Sequence, residues 1–433
     1  MKPIFKQLIA DFQEATLPEV TPRDVHFPEL PSMVKKAYVL IGMRRSGKTW
    51  AMYQHIHALI NSSVSKKHIL YLDFSDDRLS SLTSHDLQDL LLAYYELNPE
   101  VSTDTKVYFF LDEIHEVDSW ENFIRRLINT DSITVYLSGS SAKMLSKEIA
   151  TTLRGRTIVR EIFPFSFKEY LRHYEVHYSK NLSTHQKATM NHHLQKYLYY
   201  GGFPETLNLS ENLYRELLQG YMDVVLYRDI IERYQVSNTL ALKQFLNYCL
   251  QNSAKLLSVH KLYNIFKSLG YSVGKSSLYE YSTYLNDSYC LLTVPAYHFS
   301  LKKSSLKPKK IYPIDTGLIT AYTIKSDYEE SARLETAVFL QLRRKYSTIF
   351  YYRTASNKEI DFLVLENNQF FLYQVCLSLS DAKTKAREIN ALLEASKELP
   401  VEKAYVITLE DEYDEVVDSH TIHVMPLWKF LLS

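Results

Sequence analysis

Cysteine is almost absent: Cys249, Cys290 and Cys376 are the only three in 433 residues, odd in number and with no C-x-x-C pair. That excludes a disulfide framework and a cysteine zinc site, and it points to a reducing compartment. No apolar run approaches the ~18 residues of a membrane span, and the amino-terminal stretch has no apolar signal core, so the expectation is a soluble, cytoplasmic chain with no membrane partner. Neither sign of charge is in excess, since 50 Lys plus Arg face 50 Asp plus Glu. A global electrostatic footprint for nucleic acid or anionic membrane is thereby excluded, and any such surface must be local. Glycine is scarce, at ten residues, and tyrosine abundant, at 34, a bias with no functional reading of its own. The length exceeds one ordinary domain and predicts about three.

What is present begins with Gly42-Met-Arg44-Arg45-Ser46-Gly47-Lys48-Thr49, which follows the apolar run Ala37-Tyr-Val-Leu-Ile41. It fits the phosphate-binding P-loop pattern G-x-x-x-x-G-K-[ST] in its required strand-then-helix context. The glycines let backbone N–H groups curl toward phosphate oxygens, and the following helix, from about Lys48 through Leu59, adds the positive end of its dipole. Lys48 would neutralise the β/γ-phosphates of a nucleotide triphosphate, and the Thr49 hydroxyl would hold Mg²⁺. Val107-Tyr-Phe-Phe-Leu111 then reads as a strand covered on both faces that ends in Asp112-Glu113, a Walker B element. Asp112 would reach the Mg²⁺ and Glu113 would polarise the attacking water.

Further strands are expected at Ile69 to Asp73, Ile133 to Leu137 and Thr157 to Ile162, with helices between them. Trp120, Phe123, Ile124, Leu127 and Ile128 recur at helical spacing after Asp118 and Ser119, either of which could cap. Strands alternating with helices imply an α/β fold with a parallel sheet whose carboxyl edge receives the ligand. At that edge Ser138-Gly-Ser-Ser141 could sense the γ-phosphate or be a capped turn. Arg154 and Arg156 could stabilise transferring phosphoryl charge, within the chain or across a subunit interface, or form a solvated loop; Arg156 is favoured because Gly155 permits a sharp approach.

The chain turns helical from about Phe163 to Tyr200, where His173, His177, His192 and His193 match no zinc signature. Tyr200-Gly-Gly-Phe-Pro-Glu205 is a rigid bend. Helices over 240–252, 259–269 and 276–286, then a hairpin built from 289–294, 296–301 and 309–313, follow the order of a winged helix. Its loop carries Lys302, Lys303, Lys307, Lys309 and Lys310, which could bind DNA phosphates, or be solvated, or belong to a docking module. The tail, with Glu335 on a helix and Glu359-Ile-Asp361 entering a hairpin, has the α-β-β-β-α-β order of a metal-dependent nuclease core. Such cores need E-x-K on the return strand to hold Mg²⁺ and orient water, and here those positions read Gln374-Val375-Cys376.

Together, Gly42 to Thr49, Phe110-Leu-Asp-Glu-Ile114, Ser138 to Ser141, Leu153-Arg-Gly-Arg156, Phe163-Pro-Phe-Ser-Phe167 and Gly201-Gly-Phe-Pro204 make the chain resemble the prokaryotic AAA-type ATPases that carry a C-terminal nuclease-like domain. The resemblance implies the additional-strand-catalytic-glutamate class, a G-x-P turn before a winged helix, and a PD-(D/E)XK fold for the tail. It implies ATP and Mg²⁺ as cofactors, Lys48 and Thr49 for phosphate and metal, Asp112 and Glu113 for catalysis, and Ser140 as a sensor. The expected layout is an N-terminal segment (1–35), a P-loop ATPase core (36–165), a helical extension (166–237), a winged-helix-like domain (238–317) and a nuclease-like domain lacking its catalytic partners (318–433). The expected function is an ATP-binding and hydrolysing switch that couples nucleotide state to the two C-terminal modules. Its rivals are an ATP-driven DNA nuclease using Glu335 and Asp361 with metal, and a nucleotide-stabilised scaffold. Partner choice between DNA, a protein and a second copy stays open.

Overall fold

The expected apolar runs become strands because each alternates with a helix that covers it. In the computed structural model, which describes residues 1–31, 33–102, 105–130, 132–139, 153, 155–178, 182–323, 327–417 and 420–433, the chain divides into two compact units, Met1–Phe163 and Pro164–Ser433. Among the described residues no helix is long and apolar enough to cross a membrane.

The first unit holds β1 (Ala37–Ile41), β2 (Ile69–Asp73), β3 (Val107–Asp112), β4 (Ile133–Ser138) and β5 (Thr157–Glu161). They form one parallel sheet in the order β2-β3-β4-β1-β5. Its three central strands are knitted by rings: Phe110 stacks on Tyr136 at 4.5 Å between centroids, and Tyr136 on Tyr38 at 5.3 Å. Residues 1–35, expected only as a segment, begin with a helix, α1 (Lys2–Glu14). It buries Phe5, Leu8, Ile9 and Phe12 and packs on the helix α3 (Leu87–Leu97). Between these, α2 (Lys48–Asn61) follows the P-loop and buries Ala51, Met52 and Ile56. The helix α4 (Trp120–Ile128) buries the five apolar residues that predicted it. The expected Ser119 cap is not made by its side chain: Ser119 has φ +59° and its hydroxyl bonds no helix N–H.

In the second unit α5 (Phe167–His173) and α6 (Thr184–Tyr200) each begin with a capping box, Ser166 with Glu169 and Ser183 with Gln186. The Gly201-Gly202 bend needs both glycines. A β-carbon at Gly201, whose φ is +76°, would collide with the Asp315 carboxyl, and one at Gly202 with the Phe165 carbonyl. Asp315 accepts from Gly202 N at 2.7 Å and Gly317 N at 2.8 Å, holding the bend to a later helix, Thr316–Tyr322. The helix α7 (Glu211–Val224) continues through a π-wound stretch, Val225–Ile231, to Glu232–Tyr234.

Three helices follow, α8 (Thr239–Gln251), α9 (Val259–Ser268) and α10 (Lys275–Asp287), beside an antiparallel sheet of β6 (Leu256–Leu257), β7 (Leu291–Val294) and β8 (Lys309–Pro313) in the order β6-β8-β7. The hairpin differs from expectation. Residues 296–301 are not its second strand, because Ala296 bridges Tyr351 in parallel and Tyr297 donates to the Tyr351 carbonyl at 2.7 Å. The Tyr297 ring packs among Phe350, Tyr352 and Phe370, burial that a solvated hairpin would not supply. Residues Leu301–Leu306 then form the helix α11, so Lys302 and Lys303 ride on a helix rather than a loop.

The last part begins with α12 (Thr316–Tyr322) and α13 (Asp327–Lys345), then a mixed six-stranded sheet. Its strands are β9 (Ile349–Arg353), β10 (Glu359–Glu366), β11 (Gln369–Val375), β12 (Val401–Thr408), β13 (Tyr413–Val417) and β14 (His420–Pro426), ordered β13-β14-β12-β11-β10-β9. The helix α14 (Ala382–Glu398) covers Ile360, Leu363, Leu372, Val406 and Ile422 with its own Ile389 and Leu392.

Candidate functional site

The carboxyl edge of the first sheet collects the groups that the two motifs nominate. Gly42 leaves β1 with φ +153°, and a β-carbon there would collide with the Ile162 carbonyl. Gly47, with φ +97°, caps α2 without a side chain, so the helix N-terminus stays open. Lys48 is buried and its Nζ donates to the Gly42 and Met43 carbonyls at 3.2 and 3.3 Å, across the loop it would serve. The buried Ser46 hydroxyl has no hydrogen-bond partner among the described residues. Such an orphan is costly unless a ligand or water completes it. Arg44 is half-buried and Arg45 exposed with φ +67°.

Asp112 ends β3 in the middle of this edge. Its Oδ2 accepts from Thr49 Oγ1 at 2.7 Å and from the Tyr71 hydroxyl at 3.1 Å, and its Oδ1 accepts from Ser138 Oγ. Ser138 Oγ in turn accepts from Glu113 N at 3.2 Å. Burial, reinforced by the Asp112 charge, raises the Tyr71 pKa, so this phenol remains a proton donor to the carboxylate. Glu113 leaves the strand with φ +51°, and its Oε2 lies 3.2 Å from His115 Nδ1. Asp73 sits beside Asp112 in register at the end of β2, and burial raises its pKa against two bonds from Ser75.

Sequence reasoning missed three members of this site. Tyr71 and Arg23 belong to no motif, and in the turn Ser138 to Ser141 the family resemblance singles out Ser140 rather than Ser138. Arg23 is buried against the P-loop, donating through Nη1 to the Ser46 carbonyl at 3.0 Å and through Nη2 to the Phe163 carbonyl. Ser140 and Arg154 lie outside the described residues. Arg156 needs correction as a group acting within its own chain. Its carbonyl accepts from Ala37 N at 2.9 Å, so it stands at the amino-terminal edge of β1 and β5, the far end of the sheet from the P-loop. Its guanidinium is engaged by Asn129 Oδ1 at 2.5 Å.

The AAA domain family matches residues 34–171, and two domains of unknown function, DUF8612 and DUF4143, match 191–329 and 331–430. An uncharacterized protein of Methanocaldococcus jannaschii, MJ1544, is 34% identical over 444 residues, covering 100% of this chain and 96% of that protein. The chain belongs to the family of AAA-domain proteins that this relative represents. An uncharacterized protein of Haemophilus influenzae is 27% identical over 88% of this chain and 92% of its own length. Solved structures with a distant likeness include the Aeropyrum pernix ORC1 protein in complex with DNA, at 10% identity over 74% of this chain and 90% of that one, TM-score 0.26. AMPPCP-bound DnaA from Aquifex aeolicus shows 12% identity over 79% and 88%, TM-score 0.25. The AAA-domain match, with the P-loop and the strand ending in Asp112 inside it, makes the first unit of this family member an AAA-type P-loop ATPase domain.

In the second unit of this AAA-domain chain, the tail residues singled out from sequence do converge, on a lysine. Lys310 Nζ lies 2.8 Å from Asp361 Oδ1, 3.0 Å from Glu335 Oε1 and 3.0 Å from Glu359 Oε1. Tyr312 donates to the same Glu335 oxygen at 2.7 Å, and Val375 N to Asp361 Oδ2 at 2.9 Å. Gln374 donates to Glu388 at 2.5 Å and accepts from Asp361 N at 3.2 Å. Burial opposes the Lys310 charge, yet Asp361, Glu335 and Glu359 together hold its pKa well above the usual value. Burial pushes Glu335 upward against the pull of Lys310. Lys310, expected among the DNA-contacting lysines, is therefore corrected: it is buried in an ion cluster and cannot meet a phosphate. Lys302, Lys303 and Lys309 are exposed and Lys307 half-buried. Among the described residues no group of three or more His, Cys, Asp or Glu is arranged to hold a metal ion. Cys376 is buried and its thiol is pushed up to about 12 by burial, inert at neutral pH.

Proposed function

We propose that the chain is an ATP-binding and ATP-hydrolysing switch whose nucleotide state is read out by the modules of its second unit. The observation that carries this reading is the 2.7 Å bond between Thr49 and Asp112, which joins the P-loop to the end of β3 where a phosphate-bound cation is needed. Mg²⁺ would be held by the Thr49 hydroxyl and the Asp112 carboxylate, and it supplies charge neutralisation at the phosphates. The orphaned Ser46 hydroxyl and the open cap of α2 fit a phosphate chain. Lys48 binds phosphate, with Arg44 and Arg45 lining the loop. Glu113 orients the attacking water, its backbone N–H held by Ser138 and its carboxylate flanked by His115. Ser140 remains the sensor suggested by family resemblance, and Arg156 acts on a neighbouring copy.

In the second unit we read α8, β6, α9, α10, β7 and β8 as a winged helix, because its three helices and small antiparallel sheet come in that order. The tail is read as a PD-(D/E)XK-like domain without nuclease activity. Lys310 supports that reading, since its ammonium fills the space between Glu335, Glu359 and Asp361 and neutralises them. The exposed Lys302, Lys303 and Lys309 form the surface on which a DNA partner is sought.

Phosphate release from ATP with Mg²⁺, measured for wild type and Glu113→Gln with and without duplex DNA, tests the proposal. Turnover in the wild type, and ATP retained without turnover in the variant, is the expected pair. Normal turnover in Glu113→Gln would remove the role given to Glu113, and no turnover under any condition would leave a nucleotide-stabilised scaffold. Stimulation by DNA directs attention to the exposed lysines, whereas indifference to DNA makes the second unit a protein-docking module.

A further inference from the structure

The helical run from Glu211 to Tyr234 is apolar on both sides. One side is buried through Tyr214, Leu218, Tyr221, Met222, Val225, Leu226 and Ile230. On the other, Leu213, Val224 and Tyr227 are 43%, 46% and 52% exposed, with Leu217 and Ile231 half-buried between and beyond them. Gly220 lies in the same row, and a β-carbon there would meet nothing within 4 Å. Positions 213, 217, 220, 224, 227 and 231 are spaced by four and three in turn, the repeat of a seam that packs against another helix. Through the π-wound stretch buried pairs recur every fourth residue, at 221–222, 225–226 and 229–230, and the face left between and beyond them carries Val224, then Tyr227 and Arg228, then Ile231.

We propose that this seam is an interface between two copies of the chain, packed antiparallel about a twofold axis at Met222. In that arrangement Leu213 faces Ile231 of the other copy, Leu217 faces Tyr227, and Gly220 faces Val224. The small residue opposite the branched one lets the backbones approach. The charges decide the partner. Glu216 and Arg228 are both exposed and neither makes an ion pair or hydrogen bond among the described residues. They are equidistant from Met222, so each antiparallel dimer forms the Glu216–Arg228 pair twice. A parallel dimer would set Glu216 against Glu216 and Arg228 against Arg228, which is repulsive. The surface is thus self-complementary, as a twofold interface requires. A run of this length is about 36 Å long and one seam buries less than the ~800 Å² per partner of a standard interface, so the dimer is weak and concentration-dependent.

Sedimentation velocity of the full chain over a concentration series tests this. The wild type is expected to shift from monomer toward dimer, and Val224→Glu to stay monomeric. Glu216→Arg and Arg228→Glu, both changes at exposed positions, should each weaken self-association at least about ten-fold. An equimolar mixture of the two should associate again, because each variant then offers the charge that the other lacks. A wild type that stays monomeric throughout overturns the proposal. So does association undiminished in both single variants, or a mixture no better than its components.

Discussion

Lys310 and Asp361 form a buried ion pair, Nζ to Oδ1 at 2.8 Å, in which the lysine comes from the short sheet and the carboxylate from the large one. Glu335 and Glu359 complete the acceptor set at 3.0 Å each. Removing only the cation leaves carboxylates buried without their counter-charge, a change that costs about 3–5 kcal/mol when a buried pair is broken. Lys310→Met is therefore expected to lower the unfolding midpoint of the second unit sharply in a urea titration followed by circular dichroism. Retention on duplex DNA should match the wild type in a variant that still folds, because Lys310 is buried. Lys309→Met, at an exposed neighbour, should do the reverse, leaving stability within about 0.5 kcal/mol.

Arg23 bridges two carbonyls, Ser46 in the P-loop and Phe163 beyond β5, with two nitrogens of one guanidinium. A lysine carries comparable charge but offers no planar fork. Arg23→Lys and Arg23→Ala should therefore both weaken binding of a fluorescent ATP analogue, by about ten-fold or more if each charged hydrogen bond contributes about 1.5 kcal/mol. Full affinity in Arg23→Lys would mean that charge alone, and not the bridge, is what the loop needs.

Ser138 touches both acids of the Walker B element, giving a hydrogen bond to Asp112 and taking one from Glu113 N. Ser138→Ala keeps the strand and removes the alignment. Nucleotide affinity should stay within about three-fold while phosphate release falls about 10- to 100-fold, the size of effect seen when a supporting partner of a metal ligand is lost. Loss of release in Ser140→Ala but not in Ser138→Ala would transfer this role along the turn.

The P-loop, the strand ending in Asp112 and the five-strand α/β alternation were legible because each is local: a glycine turn, an apolar run, a helical period. Arg23 was not, because nothing around it in the chain marks it, and its partners at Ser46 and Phe163 meet only in the folded unit. Lys310 was misread for a different reason. A run of lysines looks uniformly solvated, but adjacent residues on a strand point to opposite faces, so Lys309 stays in water while Lys310 turns into the acids. Tyr297 left its expected hairpin because three rings on the neighbouring sheet offered it burial, a competition that no short-range pattern records. Arg156 does stand just before β5 as expected, but the start of a parallel strand is the end of the sheet away from the P-loop.

The two units carry titrating groups of opposite sign, His55 half-buried and Asp315 buried. His55, in the first, hydrogen-bonds the Tyr136 hydroxyl at 2.8 Å, and burial, helped by His26, lowers its pKa from 6.5 to about 4. The unfolded chain then binds the proton first as pH falls, so stability from this group is present above about 6.5 and is lost toward about 4, up to about 3 kcal/mol. Asp315, in the second, is pushed up to about 6 by burial, against its bonds from Gly202 and Gly317. Here the folded state binds the proton first, so stability falls as pH rises from about 4 through about 6. Calorimetric scans of wild type, His55→Gln and Asp315→Asn from pH 7.5 to about 4.5 separate the two. The advantage of wild type over His55→Gln should shrink on acidification, and its advantage over Asp315→Asn should grow. Curves that run parallel across this range would show that neither group changes its protonation on unfolding.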